Sequence, residues 1–145
     1  MTNSNRVLVG VDGTPGAQTA LKWAVTQASR TGAEILAVHV LTYSRELTND
    51  FSPEGMTNWR QRQHEALETS WTEPLHDSGV PFRSIFTEDD HVDSGLLRVA
   101  DEENVDLIVV GAHGSGGWAD RVLGSVPYKV AHRSHRPVVI IPEPD

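Results

Sequence analysis

A chain of 145 residues with 38% hydrophobic and 22% charged side chains has the balance of one soluble globular domain with room for a core. Twelve Lys and Arg against twenty Asp and Glu leave a formal charge of -8, which disfavours general binding to nucleic acid or anionic membrane, since both repel it. Cysteine is absent, so disulfide frameworks and thiolate metal sites are excluded. The apolar runs are too short to span a bilayer and Met1–Gly10 carries no leader pattern, so the expected compartment is the cytoplasm.

Val7–Val11 is the first apolar run. It is rich in Val and does not alternate with polar residues, which suits a strand buried on both faces. Thr14 is placed to cap the helix that follows, with Pro15 at its first position. Ala17, Ala20, Leu21, Ala24, Val25 and Ala28 recur at helical spacing, and Gly32 ends the pattern. Ile35–Leu41 predicts the second strand, interrupted by His39, which reads as a core or site-lining histidine. Thr42–Met56 is the longest loop. Asn58–Ser78 predicts a second helix with Trp59, Leu67, Trp71 and Leu75 inward and Pro74 kinking it or breaking its last turn. Phe82–Thr87 is a partly polar third strand. The acidic turn Glu88-Asp89-Asp90-His91 follows, with metal binding as its alternative reading. Asp93 is then the expected cap of a third helix carrying Leu96, Leu97 and Ala100. Leu107–Val110 is the fourth strand, Ser125–Ser134 a helix with Val126, Val130 and Ala131 on one face, and Val138–Ile141 the last strand. Strict alternation of strand and helix predicts a doubly wound α/β fold: a parallel sheet with right-handed crossovers and helices on both faces, in a single domain over residues 1–145.

The chemistry concentrates after the fourth strand. Gly111-Ala112-His113-Gly114-Ser115-Gly116-Gly117 leads through Trp118 to Gly124-Ser125-Val126, so five glycines fall within fourteen residues. Open α/β sheets bind ligands at this end of their strands. Glycine lets backbone approach a ligand or adopt positive φ, and a side chain at Gly114 or Gly124 would fill that space or forbid the conformation. A helix starting at Ser125 offers unpaired N–H groups and a positive dipole end to a phosphate, with the Ser125 hydroxyl as a further donor. The alternative is a glycine-rich surface loop. Neither a Walker A pattern nor a complete GxGxxG is present, because Ala119 stands where the third glycine would be.

The spacing Gly111-x2-Gly114-x9-Gly124-Ser125 resembles the nucleotide-binding motif of the universal stress protein family. So do Val7-Leu8-Val9-Gly10-Val11-Asp12-Gly13, Asp106 to Gly111, and Arg136-Pro137-Val138-Val139-Ile140-Ile141-Pro142, so that the likeness covers nearly the whole chain. The resemblance implies a Rossmann-like five-stranded sheet of order 3-2-1-4-5 and binding of ATP, or of AMP or cyclic AMP. It implies phosphate and ribose contacts at Gly111, Gly114, Gly124, Ser125 and Val126, and an adenine contact at Val40. Asp12 takes the family's acidic position near the ribose or a magnesium ion, with Val11 and Gly13 beside it among the binding residues. Asp12 also has a plain reading as a turn former. His113 reads equally as a phosphate contact or an exposed loop histidine. Where many relatives carry a glycine and a small-residue-proline pair after the third strand, this chain has its acidic turn, which would repel a triphosphate or recruit magnesium.

The expected function is that of an adenine-nucleotide-binding sensor or regulator in a stress or dormancy response. The alternatives are a weak magnesium-dependent ATPase, for which no convincing catalytic set is present, and a dimeric interaction module without nucleotide. The order 3-2-1-4-5 leaves Val138–Ile141 as an apolar edge, and relatives pair through their last strand, so a homodimer is expected there.

Overall fold

The computed structural model describes residues 5–43, 52–113 and 123–144. Five parallel strands form one sheet in the order β3-β2-β1-β4-β5: β1 (Arg6–Gly10), β2 (Glu34–Leu41), β3 (Phe82–Glu88), β4 (Leu107–Gly111) and β5 (Val138–Ile141). This is the predicted order, and the strand bounds agree with the apolar runs to within about a residue. Val9 is the register point at the sheet's centre, opposite Ala37 of β2 and Val109 of β4.

Successive residues of the central strands face opposite sides, which produces two cores. On one side Val9, Ile35, Ala37 and Val109 pack against α1 (Pro15–Thr31) and the segment that follows β2, through Ala20, Leu21, Ala24, Leu67 and Leu75. On the other, Leu8, Leu36, Val38, Ile108 and Val110 meet α3 (Val92–Glu102) and α4 (Ser125–Arg133), through Leu96, Val99, Ala100 and Val130. The helix α1 is bounded as its sequence dictates. The Thr14 hydroxyl accepts from the Ala17 N–H, and Gly32 closes the helix at φ 77°, a conformation that glycine adopts without steric cost. No described helix is long and apolar enough to cross a membrane.

Three expectations are corrected. The predicted helix Asn58–Ser78 is two elements: α2 (Pro53–Glu68), then a 3-10 helix over Ser70–Leu75. Pro74 has no N–H and its ring crowds the carbonyl four residues back, so the chain changes to the tighter winding before it. The start lies five residues earlier than predicted because Ser52 caps it, its Oγ accepting from the Gly55 N–H at 3.0 Å, with Pro53 at the first position. The second correction concerns Asp93. The cap of α3 is His91, whose carbonyl accepts from Gly95, and Asp93 lies inside the first turn. Ala131 of α4, expected on the inward face, is exposed, and Pro127 shares the buried stripe with Val130.

Asp93 is 4% exposed and its Oδ2 lies 2.5 Å from Arg133 Nη1, tying α3 to α4. Removing the cation leaves a buried carboxylate without its charged partner, although the half-exposed arginine lets water take up part of the loss. Arg133→Met is expected to cost about 1–3 kcal/mol. Urea unfolding followed by circular dichroism reads it; parental stability would mean that water already solvates Asp93.

Candidate functional site

In a sheet of order 3-2-1-4-5 the connections from β1 and β4 leave toward opposite faces, so a crevice opens between their carboxyl ends. A cavity of about 800 Å3 lies there. Eight of the ten binding residues expected from sequence are on its wall: Val11, Asp12, Val40, Gly111, His113, Gly124, Ser125 and Val126. Gly114 lies outside the described residues, as do Ser115 to Trp118. Gly13 is not among the wall residues. It sits at φ 81°, and a Cβ there would run into the Trp71 indole, so its small size serves the protein's own packing.

Asp12 is exposed and closes a turn. Its Oδ1 accepts from the Thr14 N–H at 3.0 Å and from the Thr14 hydroxyl at 2.6 Å. The turn-former reading of Asp12 therefore holds in full. Its Oδ2 has no hydrogen-bond partner among the described residues, so one oxygen remains for a ligand hydroxyl or a metal ion.

Beneath this turn lies His39, buried at 9% exposure, with Nδ1 2.7 Å from the Val11 carbonyl oxygen. A carbonyl only accepts, so Nδ1 carries the proton and, in the neutral ring, Nε2 is left as an acceptor. Burial holds the His39 pKa below its usual value, against the opposing pull of the Val11 carbonyl and the Asp12 charge. The ring packs 4.9 Å from Trp71 and 5.7 Å from Phe86. His39 lines the cavity, as the sequence reading allowed.

The facing wall is the start of α4. Gly124 occupies its cap position, donates to the Ala112 carbonyl at 2.9 Å, and supplies no side-chain cap. By helix geometry the N–H groups of Ser125 and Val126 have no acceptor inside the helix, and Pro127 has no N–H. Gly124 does not need glycine's conformational range, since its φ is -63°; a Cβ there would lie 3.3 Å from the Ala112 carbonyl, a tight fit but not a forbidden one. Gly111 is different. A Cβ on it would come within 2.7 Å of the Gly16 carbonyl oxygen in α1, so its glycine is required by backbone packing whatever the ligand.

Most of the acidic turn after β3 is engaged. Glu88 accepts from the Tyr43 hydroxyl at 2.8 Å and pairs with Arg60 at 2.6 Å, and Asp89 pairs with Arg98 at 3.4 Å. No cluster of three or more His, Asp or Glu fit to hold a metal occurs among the described residues. What the sequence missed is the cavity's outer wall, which Trp59 and Gln63 of α2 supply; the capping Ser52-Pro53 pair was the signal that the helix began early enough to reach it.

A doubly wound sheet with a cavity at its switch point and an open helix N-terminus beside it is the arrangement in which open α/β folds place small-ligand sites. Residues 3–142 match the model of the universal stress protein family, and the chain belongs to that family. It is 30% identical over 142 residues to a universal stress protein of Mycolicibacterium smegmatis, covering 93% of this chain and 45% of the relative, so the chain spans about half the length of that relative. It is also 30% identical to universal stress protein YxiE of Bacillus subtilis, covering 94% of this chain and 98% of YxiE. Among solved structures, hypothetical protein MJ0577 superposes with a TM-score of 0.82 at 22% identity, covering 99% of both chains. A universal stress protein in complex with cAMP gives 0.71 at 24% identity over 99% and 100%, and an Arabidopsis thaliana family protein with AMP bound gives 0.69 at 20% over 97% and 92%.

The lowered His39 pKa has a stability consequence. Unfolding returns His39 to an ordinary pKa near 6.5, so below that pH the unfolded chain binds the additional proton. Stability is therefore lost as pH falls through about 6.5 and levels off only below the folded pKa. His39→Asn keeps a donor near Val11 and removes the titration. Melting curves between pH 7.5 and 5 should fall less steeply for the variant than for the parent; equal slopes would mean that His39 is solvated in the folded protein.

Proposed function

We propose that this chain binds an adenine nucleotide, ATP first among them, as a cytoplasmic sensor or regulator. The observation that carries the reading is the meeting of Asp12 and the open N-terminus of α4 across one cavity. The N–H groups of Ser125 and Val126 receive phosphate, Asp12 takes a ribose hydroxyl or a magnesium ion, and the base lies toward Val40. The bound cAMP and AMP of the structurally similar proteins support a ligand of this class in this fold. Among the described residues the wall carries no Lys or Arg, so phosphate charge is met by helix dipole, N–H groups and hydroxyls, with magnesium as the natural supplement for a triphosphate.

Mass spectrometry of what freshly purified, denatured protein releases identifies the resident ligand, and turnover with magnesium divides a binder from an ATPase. Gly114→Glu sets a negative charge in the glycine loop and is expected to lower ATP affinity at least ~10-fold by calorimetric titration. Ser125→Ala should cost less, since the backbone donors remain. Asp12→Asn should weaken ATP more in magnesium than in chelator if Asp12 holds the metal. Parental affinity in Gly114→Glu would remove the glycine loop from the site.

The same reading includes a homodimer. Among the described residues β5 is paired on one side only, by β4, and Val138, Val139 and Ile140 are only partly buried. Antiparallel pairing of two such edges would satisfy their backbone groups and cover the side chains. Sedimentation at micromolar concentration should give twice the monomer mass; a monomer would refute the dimer without touching the nucleotide site.

A further inference from the structure

The cavity has two chemically different ends. One is polar, at the start of α4. The other is lined by Val40 at the end of β2 and by Trp59 and Gln63 from α2. Trp59 and Gln63 are four residues apart and so share one helix face. That helix is fastened close to the site. Arg60 donates through Nε to the Tyr43 hydroxyl at 3.0 Å and pairs with Glu88 at the end of β3, while the Tyr43 ring meets Trp59 edge-on at 6.1 Å. The clamp joins the end of β2, the end of β3 and the first half of α2, and thereby fixes the distance of the wall from Val40.

Gln63 is partly buried on this wall, and its amide has no hydrogen-bond partner among the described residues. An amide offers a donor and an acceptor side by side. A 6-aminopurine presents the matching pair, its amino group beside a ring nitrogen. An indole offers a flat apolar surface on which a base can stack, worth roughly 1–3 kcal/mol, or about 5- to 150-fold in affinity, by alanine substitution.

From these observations we infer that Trp59 and Gln63 form a base-selecting wall: Trp59 stacks on the base, and the Gln63 carbonyl accepts from the 6-amino group. The assignment rests on the nucleotide reading of the cavity and adds to it a source of base specificity in α2 side chains.

The test is calorimetric titration of the parent and variants with ATP and with purine riboside 5'-triphosphate, which lacks the 6-amino group. The parent should prefer ATP by about 5-fold, the value of one hydrogen bond of ordinary strength. Gln63→Leu should lose that preference. Trp59→Ala should bind both nucleotides about 10-fold more weakly, and Trp59→Phe should recover most of the loss. Gln61→Ala should match the parent, because Gln61 bonds Glu65 and is not on the cavity wall. Circular dichroism serves as the folding control. Parental ATP affinity in Trp59→Ala, or an ATP preference that survives Gln63→Leu, overturns the wall assignment. If Ser125→Ala still weakens ATP in that case, the nucleotide reading stands without it. A parent that takes up neither triphosphate overturns both.

Discussion

The site depends on how closely α1 can lie against the end of β4. Gly111 and Gly16 meet backbone to backbone, and a Cβ on either glycine would strike the main chain of the other segment. Alanines continue the approach along the helix, since Ala17, Ala20, Ala24 and Ala28 are all buried. Small side chains let a helix sit near a sheet, and the turn before α1 is drawn in with it. That is why Asp12, which follows β1, and Gly111, which ends β4, face the same cavity. A bulkier residue at either glycine would have to push the helix away and widen the crevice.

The turn that carries Asp12 is then held from below. His39 donates to the Val11 carbonyl, Trp71 covers Gly13, and Gln18 Nε2 donates to the Trp71 carbonyl at 2.9 Å. These contacts come from β2, the 3-10 helix and α1, three elements that are already fixed by the core. A turn held from β2 and packed by Trp71 restricts the orientation of its carboxylate, which is what a binding group needs to reduce the ordering cost of association. The neutral state of His39 belongs to the same arrangement. Its Nδ1 proton is committed to the carbonyl, and a second proton would place a charge in a poorly solvated space beneath the Asp12 turn.

The strands and their parallel sheet were legible because the runs around Val9, Ala37 and Val109 are apolar without alternation and helices separate them. The family resemblance supplied the particular order, which alternation alone leaves open. Most of the expected binding residues reach the wall because they sit at strand ends and at a helix start, positions that sequence marks with Asp12 and with Gly124-Ser125. The misreadings have local causes. The α2 segment carries Leu67, Trp71 and Leu75 at helical spacing, so its periodicity passes unbroken through a point where Thr69 leaves helical geometry. The spacing persists because a 3-10 turn also keeps its apolar residues on one side. Asp93 is buried and has the residue type of a cap, but its half-exposed partner Arg133 lies 40 positions away, and no local pattern encodes that pairing. Trp59 and Gln63 were missed as wall residues for a related reason: their placement follows from the Tyr43–Arg60–Glu88 clamp, which is a tertiary contact.

Among the helix starts, α1 and α2 have side-chain caps, α3 has none although His91 stands at its cap position, and α4 has a cap residue with no side chain at all. The helix α1 is capped by Thr14, and α2 by Ser52, each accepting a backbone N–H. At α4 the cap position is held by Gly124, which has no acceptor to offer, although its φ of -63° would admit serine or aspartate. Glycine at a cap gives up only about a few tenths of a kcal/mol relative to those residues. A serine or aspartate there would turn its oxygen onto the same N–H groups that a phosphate would use, and an aspartate would add like charge. Leaving the end of α4 uncapped thus costs the fold little, and the pull of its dipole stays directed at the cavity rather than neutralised within the chain.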